Sequence, residues 1–166
     1  MRITEIVATA PQDRDFAKYD RIDYQRRTPF KPKYADDFKY VGKKGELTLW
    51  IDSFDPYTFI AYSGDDWAMA VNGKKTKIGM QIGTTTSNPK YRGHKMARTV
   101  YKMIAKKIGS LASDKLLSPA ALSVWQSFDG DSQVELEVVN IHNKETKPAD
   151  YDISDTNSYV YRILPH

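Results

Sequence analysis

The sequence contains no cysteine. Disulfides, thiolate metal ligands and a cysteine nucleophile are therefore excluded, and a reducing, cytoplasmic setting is compatible with the chain. No apolar run comes near the roughly 18 residues needed to span a bilayer, so a membrane role is not expected. The opening Met1-Arg2-Ile3-Thr4-Glu5-Ile6-Val7 is too short and too mixed for a secretory signal. Histidine is scarce, at 3 residues. His142 and His166 fall in a loop and the tail, so no metal spacing and no Ser-His-Asp set can be built. Internal repeats and low-complexity tracts are also missing. Charge of one sign is not concentrated: the net +4 is a mild excess. It suits an anionic ligand such as a nucleotide cofactor and falls short of the dense basic footprint of nucleic-acid binders.

The 166 residues suit a single domain, 1–166, able to bury its own core. Over residues 1–8 the text fits a short strand. Residues 12–27 half fit a helix with Phe16, Tyr19 and Ile22 on one face. Prolines and paired glycines make 28–45 a loop region. From Glu46 the texture changes. Leu47–Ile51 alternates as a strand, Asp55-Pro56 turns, and Tyr57–Tyr62 is a second strand. Ser63-Gly64-Asp65-Asp66 is a hairpin loop, and Trp67–Val71 returns from it. Asn72-Gly73 predicts another hairpin turn before a long strand over Lys77–Thr86.

Then the period switches. Between Gly93 and Gly109 the apolar residues fall at Met96, Ala97, Val100, Tyr101, Ile104, Ala105 and Ile108. That 3–4 spacing predicts an amphipathic helix, with Lys106 and Lys107 at its negative end and Gly109 as its stop. Lys102, Lys106 and Lys107 read as its solvated face rather than a nucleic-acid contact. Leu111-Ala112 is a short strand. Ser118-Pro119 is an N-cap followed by proline at the first helical position, opening a helix with Leu122, Val124, Trp125 and Phe128 inward. Val134–Val138 alternates as a strand, Asn143–Asn157 is a polar loop, and Tyr159–Leu164 is a final strand. Together these predict an α/β fold with a mixed, mostly antiparallel central sheet flanked by helices.

The informative stretch is Ser87-Asn88-Pro89-Lys90-Tyr91-Arg92-Gly93-His94-Lys95-Met96-Ala97. A strand ends, Asn-Pro turns the chain, and Arg-Gly opens a helix. The first amides of a helix have no internal partner and carry the positive end of its dipole, so an anion is favoured there. Arg92, His94, Lys95 and Arg98 add positive or potentially positive charge. The bland alternative is a surface turn before an ordinary helix.

This segment resembles the cofactor motif of the GNAT N-acetyltransferases. In that family a strand ending in x-N-P-x-Y-R-G runs into Q/R-x-x-G-x-G/A. Asn88 to Gly93 matches the approach, Arg92 the first motif position and Ala97 the last. Leu111-Ala112-Ser113-Asp114 resembles the family's next short strand. Ser118-x-x-Ala121-x-x-Val124-Trp125-x-x-Phe128 resembles its N-x-x-A-x-x-L-Y-x-x-x-G-F helix. The resemblance covers residues 46–164, is sharp over 85–128, and leaves 1–45 divergent. It implies acetyl-CoA or another acyl-CoA as cofactor and direct acyl transfer to an amine-bearing substrate. Pantetheine would pair with backbone near Thr85, Thr86 and Ser87. The pyrophosphate would sit on the amides of Gly93, His94, Lys95, Met96 and Ala97, with Arg92 nearby and Ser118 at the place of the family's pantetheine-contacting Asn.

The chain also departs from the pattern. Lys95 stands where the family keeps a glycine, and it either swings aside to supply a charge or fills the pocket. Trp125 stands where many relatives carry a proton-donating tyrosine; an indole N–H is no usable proton source, and such a residue more often packs a core. Gln81 occupies the usual place of a glutamate base. Asp52, Asp65 and Asp66 read first as turn residues or solvated charge, and Glu135 and Glu137 share a strand face. No catalytic residue is assigned. The alternative reading is a non-catalytic GNAT-like scaffold that binds a protein partner, as in compact phage-encoded chains with an altered cofactor motif.

Overall fold

The change of texture at Gly93 is realised in the chain's structure, a computed structural model that describes residues 7–8, 10–11, 38–91, 93–153 and 158–166. The helix read over 12–27 and most of the strand read over 1–8 lie outside the described residues. The strands are β1 (Val7–Ala8), β2 (Ala10–Pro11), β3 (Phe38–Lys44), β4 (Leu47–Asp52), β5 (Thr58–Ser63), β6 (Asp66–Thr76), β7 (Gly79–Ser87), β8 (Leu111–Ala112), β9 (Val134–Asn140), β10 (Thr146–Pro148) and β11 (Tyr159–Pro165). The helices are α1 (His94–Ile108) and α2 (Pro119–Gln126). Among the described residues β1 and β2 pair with each other, and the other strands are hydrogen-bonded in the order β10-β9-β11-β8-β7-β6-β5-β4-β3. This is the mixed, mostly antiparallel sheet expected from the sequence, with β7–β8 its parallel step. No helix among the described residues is long and apolar enough to cross a membrane.

The chain divides into two compact units, Met1–Asn72 with Thr84–Arg92, and Gly73–Gly83 with Gly93–His166. The first is a meander. Gly45 and Gly64 take the left-handed conformation (φ 61° and 59°) at the β3–β4 and β5–β6 turns, which glycine adopts without penalty. Asp55 accepts from the Tyr57 amide at 2.9 Å and the Thr58 hydroxyl at 2.7 Å, so the Asp-Pro turn is held by its own side chain. Leu49, Phe59, Ile60, Ala61, Met69 and Val71 form the interior. The loop expected over 28–45 is corrected at its end, because Phe38–Lys44 pairs with β4. Its glycine and lysines suit an edge strand, and the pairing shifts register between Tyr40 and Gly42, a bulge that glycine tolerates.

The second unit holds both helices. Val100, Tyr101, Ile104 and Ala105 are the buried stripe of α1, which packs on β8 and β11 and meets α2. Gly109 closes α1 in the left-handed conformation (φ 109°), its N–H donating to Ala105 O at 2.6 Å. Ser118 caps α2 as expected, its Oγ accepting from the Ala121 amide at 3.1 Å. Two expectations are corrected here. The Asn72-Gly73 turn does not form: β6 runs through it to Thr76, and the chain turns at Lys77-Ile78 instead. The polar loop over 143–157 contains β10, paired antiparallel with β9; Pro148 is tolerated because the strand lies at the sheet edge.

Charge fixes the α2–β9 connection to α1. The Asp131 carboxylate, 5% exposed, accepts from Arg98 and from Lys102 Nζ at 3.0 Å, while its Oδ1 accepts from the Gln133 amide at 2.8 Å. Burial pushes this carboxyl up, but the Gln133 amide and the Lys102 and Arg98 cations outweigh it, so its pKa lies below the ordinary value. A lowered folded pKa adds stability that is present above the unfolded value of about 3.9 and lost as pH falls through the folded value. Asp131→Asn is therefore expected to be less stable than wild type at pH 7, with the gap closing below about pH 4. Urea midpoints at stepped pH check this; a gap independent of pH would refute it.

Candidate functional site

The sequence places the candidate site in the continuous stretch from the end of β7 to the first turn of α1. Among the described residues β7 pairs with β8 at Met80↔Leu111 and Gln81↔Ala112, and the strand itself runs on to Ser87. Beyond Ala112 the chain stays tied to β11, on the side away from β7: the Ser113 amide donates to Tyr161 O at 2.8 Å, and the Tyr161 amide donates to Ser113 Oγ at 3.1 Å. The parallel ladder therefore stops well short of the end of β7. Thr85 is exposed there, and Thr86 and Ser87 are half-buried.

Asn88 governs the turn that follows. Its amide donates to Ala68 O at 2.9 Å, its side-chain Nδ2 to Trp67 O at 2.7 Å, and its Oδ1 accepts from the Lys90 amide at 3.1 Å. Pro89–Tyr91 forms a single 3₁₀ turn. Lys90 Nζ (2.8 Å) and the Tyr91 hydroxyl (2.7 Å) both donate to Asp66 Oδ2. The Lys90 and Tyr91 hydrogen bonds hold the Asp66 carboxyl below its ordinary pKa. Asp66 is thus committed to the turn and is not a free base. Asp52 likewise accepts from the Phe54 amide at 2.8 Å.

In the second unit, α1 opens at Gly93 with φ 156° and ψ 157°, a backbone region that glycine alone adopts readily. No side chain caps the helix and its first turn contains no acidic residue. A Cβ built on Gly93 would meet nothing within 4 Å, and the first helical bond, Ala97 N–H to Gly93 O, is long at 3.4 Å. Among the described side chains none caps this positively polarised backbone. Lys95 is exposed, while Met96 and Ala97 are half-buried. Arg92 and the His94 side chain lie outside what the structure describes. Ser118 is exposed, and its hydroxyl, used as an acceptor by the α2 cap, retains a proton to donate.

The positions that depart from the motif have structural duties. Trp125 is 2% exposed, stacked on Tyr101 (centroids 5.4 Å, 27°) and set edge-on to Phe128 (5.6 Å, 64°). It is core, and it offers no proton to a site. Gln81 is buried, its Nε2 donating to Ser113 O at 3.1 Å. Glu137 receives Arg162, directly opposite it on β11, with the Nε bond at 2.7 Å, while Arg162 Nη1 also reaches Ile78 O at 3.2 Å.

Sequence reasoning missed a cleft of about 310 Å³ in the second unit, where the β8–α2 connection and α2 meet residues 149–153 and β11. Its walls include Asp114, Lys115, Leu122, Gln126, Tyr151 and Tyr161. The Asp150-Tyr151-Asp152 triplet was its one visible trace in the sequence.

No family model matches this chain, and no curated protein matches it. Among solved structures, it is similar to the ribosomal-protein-S18-alanine N-acetyltransferase from Escherichia coli, at 12% identity over 84% of this chain and 79% of that one, with a TM-score of 0.35.

Proposed function

We propose that this protein is an N-acyltransferase that takes its acyl group from an acyl-CoA, acetyl-CoA in the first instance, and passes it to an amine. The observation that carries this reading is the opening of α1 at Gly93, a glycine-type backbone with no side-chain cap among the described residues. The residues fit the cofactor. Gly93 itself carries no side chain, and apart from its two chain neighbours a Cβ built there would meet nothing within 4 Å, which suits the close approach of a phosphate. Backbone amides of 93–97 would receive the pyrophosphate, and the exposed Lys95 adds positive charge beside it. By the resemblance, the pantetheine amides would pair with backbone near Thr85, Thr86 and Ser87, and Ser118 would offer a hydroxyl.

The bound thioester supplies an activated acyl carbonyl. The chain's own part is to bind and orient; holding two reactants in register can lower the barrier by about 7–11 kcal/mol without a strong acid or base. That matters here because Trp125 is buried and Gln81 and Asp66 are already engaged.

Acetyl-CoA at a hundred times its dissociation constant is expected to stabilise the fold by about 2.7 kcal/mol, a melting rise of about 5–10 °C. No rise at saturation would remove the cofactor from the reading. A second reading, a GNAT-like scaffold that binds a protein partner, is favoured by the loss of a proton donor at Trp125. Lys95→Gly separates the two. Where the exposed ammonium serves the phosphates, the variant binds acetyl-CoA several-fold more weakly. Tighter binding in the variant would mean that Lys95 had obstructed the place, and would favour the scaffold.

A further inference from the structure

We propose that the cleft beside α2 is a binding site for an aliphatic ammonium group. This names the acceptor class of the proposed transfer, and rests on that reading only for the word acceptor. The cleft holds about 310 Å³, enough for a small molecule or one long side chain. Its charge is opposite to that of the chain: among the described lining residues Asp114, Asp150 and Asp152 stand against Lys115, in a protein of net charge +4, and the nearby Lys147 is paired with Glu145. Among the described residues no hydrogen bond or ion pair engages the carboxylates of Asp150 and Asp152, and both side chains are exposed. A phosphate-bearing ligand would be repelled here, which keeps this cleft distinct from the opening of α1.

The remaining wall suits the alkyl part and the cation together. Leu117 and Leu122 line it with apolar surface, and Tyr151, Tyr159 and Tyr161 line it with aromatic side chains. Tyr161 is 3% exposed, and its hydroxyl oxygen receives only a long bond from Gln126 Nε2 at 3.5 Å. A lone pair on that buried oxygen is thus left for an ammonium N–H. The neighbourhood already holds one ammonium in this manner. Lys147 Nζ lies 3.0 Å from Glu145 and 5.4 Å from the Tyr151 ring centroid, a carboxylate and an aromatic face acting together.

The test is titration of the full chain, without CoA, by cadaverine and by Nα-acetyl-lysine methylamide, followed by NMR shifts, with inorganic phosphate as control. Saturable binding of either amine is expected, weakened at least tenfold in Asp150→Asn/Asp152→Asn and weakened by added salt. Both substituted positions are exposed, so the variant should keep its melting temperature. Tighter binding of cadaverine marks a free diamine as the source of the ammonium; tighter binding of the lysine derivative marks a peptide. Absence of saturable binding by both amines, unchanged affinity in the double variant, or preference for phosphate would overturn the proposal. Ammonium binding without any acetyl-CoA effect would leave this site standing and sink the acyltransfer reading; the reverse result would do the opposite.

Discussion

Trp125→Ala is expected to cost about 3–5 kcal/mol of stability, measured as a lowered urea midpoint with an unchanged slope. The indole is 2% exposed and joins α1 to α2 by stacking on Tyr101 and meeting the edge of Phe128. Phe128 is itself fully buried, and Arg98 lies over it at 5.7 Å. Truncation therefore removes one ring from the middle of three, and the neighbours cannot close the space without giving up their own contacts. Trp125→Phe keeps an aromatic face in that place, so a loss of about 1–3 kcal/mol is expected. The pair of variants also tests chemistry. An indole engaged in packing alone predicts that Trp125→Phe retains the proposed acyl transfer at temperatures where it is folded. A fall in kcat of a hundredfold or more in a fully folded Trp125→Phe protein would give the side chain a catalytic duty that its burial denies.

Trp125 shows what kind of information the sequence carries. The helices were legible because their buried stripes recur every three or four residues and their ends are marked by local chemistry: Gly109 beyond α1, Ser118-Pro119 before α2. Strands β4 to β6 were legible for a similar reason, since alternation and the Asp55 and Gly64 turns are short-range signals. Edge strands were not. β3 carries Gly42, Lys43 and Lys44, and β10 contains Pro148, residues that disfavour a central strand and become harmless at an edge. The strand, turn and helix proposed to receive phosphate are local features, and those elements could be read directly. The cleft could not, because it brings residues 114–126 together with 149–161, and only folding makes those segments neighbours.

Gly73→Ala is expected to cost about 3 kcal/mol, the upper end of the usual range for overpacking. Asn-Gly is the strongest short hairpin signal a sequence can give, and in a two-residue turn that glycine would serve by adopting positive φ. A turn glycine of that kind tolerates Asn or Asp with little loss. Gly73 does not sit in a turn. It lies inside β6, where a Cβ would fall 2.4 Å from the backbone oxygen of Gln81 and 2.9 Å from the Met80 methyl. The methyl could swing away, but a backbone oxygen moves only with its strand. That strand is fixed at this point: Gln81 pairs with Ala112 on β8, and its side chain donates to Ser113 O. The missing side chain is therefore a requirement of close approach and not of backbone conformation. Gly64→Ala supplies the contrast, since Gly64 has φ 59° and nothing within 4 Å of its would-be Cβ. There the cost is conformational, about 1 kcal/mol, and Gly64→Asn should recover most of it. At residue 73 neither alanine nor asparagine should be tolerated. Equal, small losses for Gly73→Asn and Gly64→Asn would return residue 73 to a turn and shorten β6 accordingly.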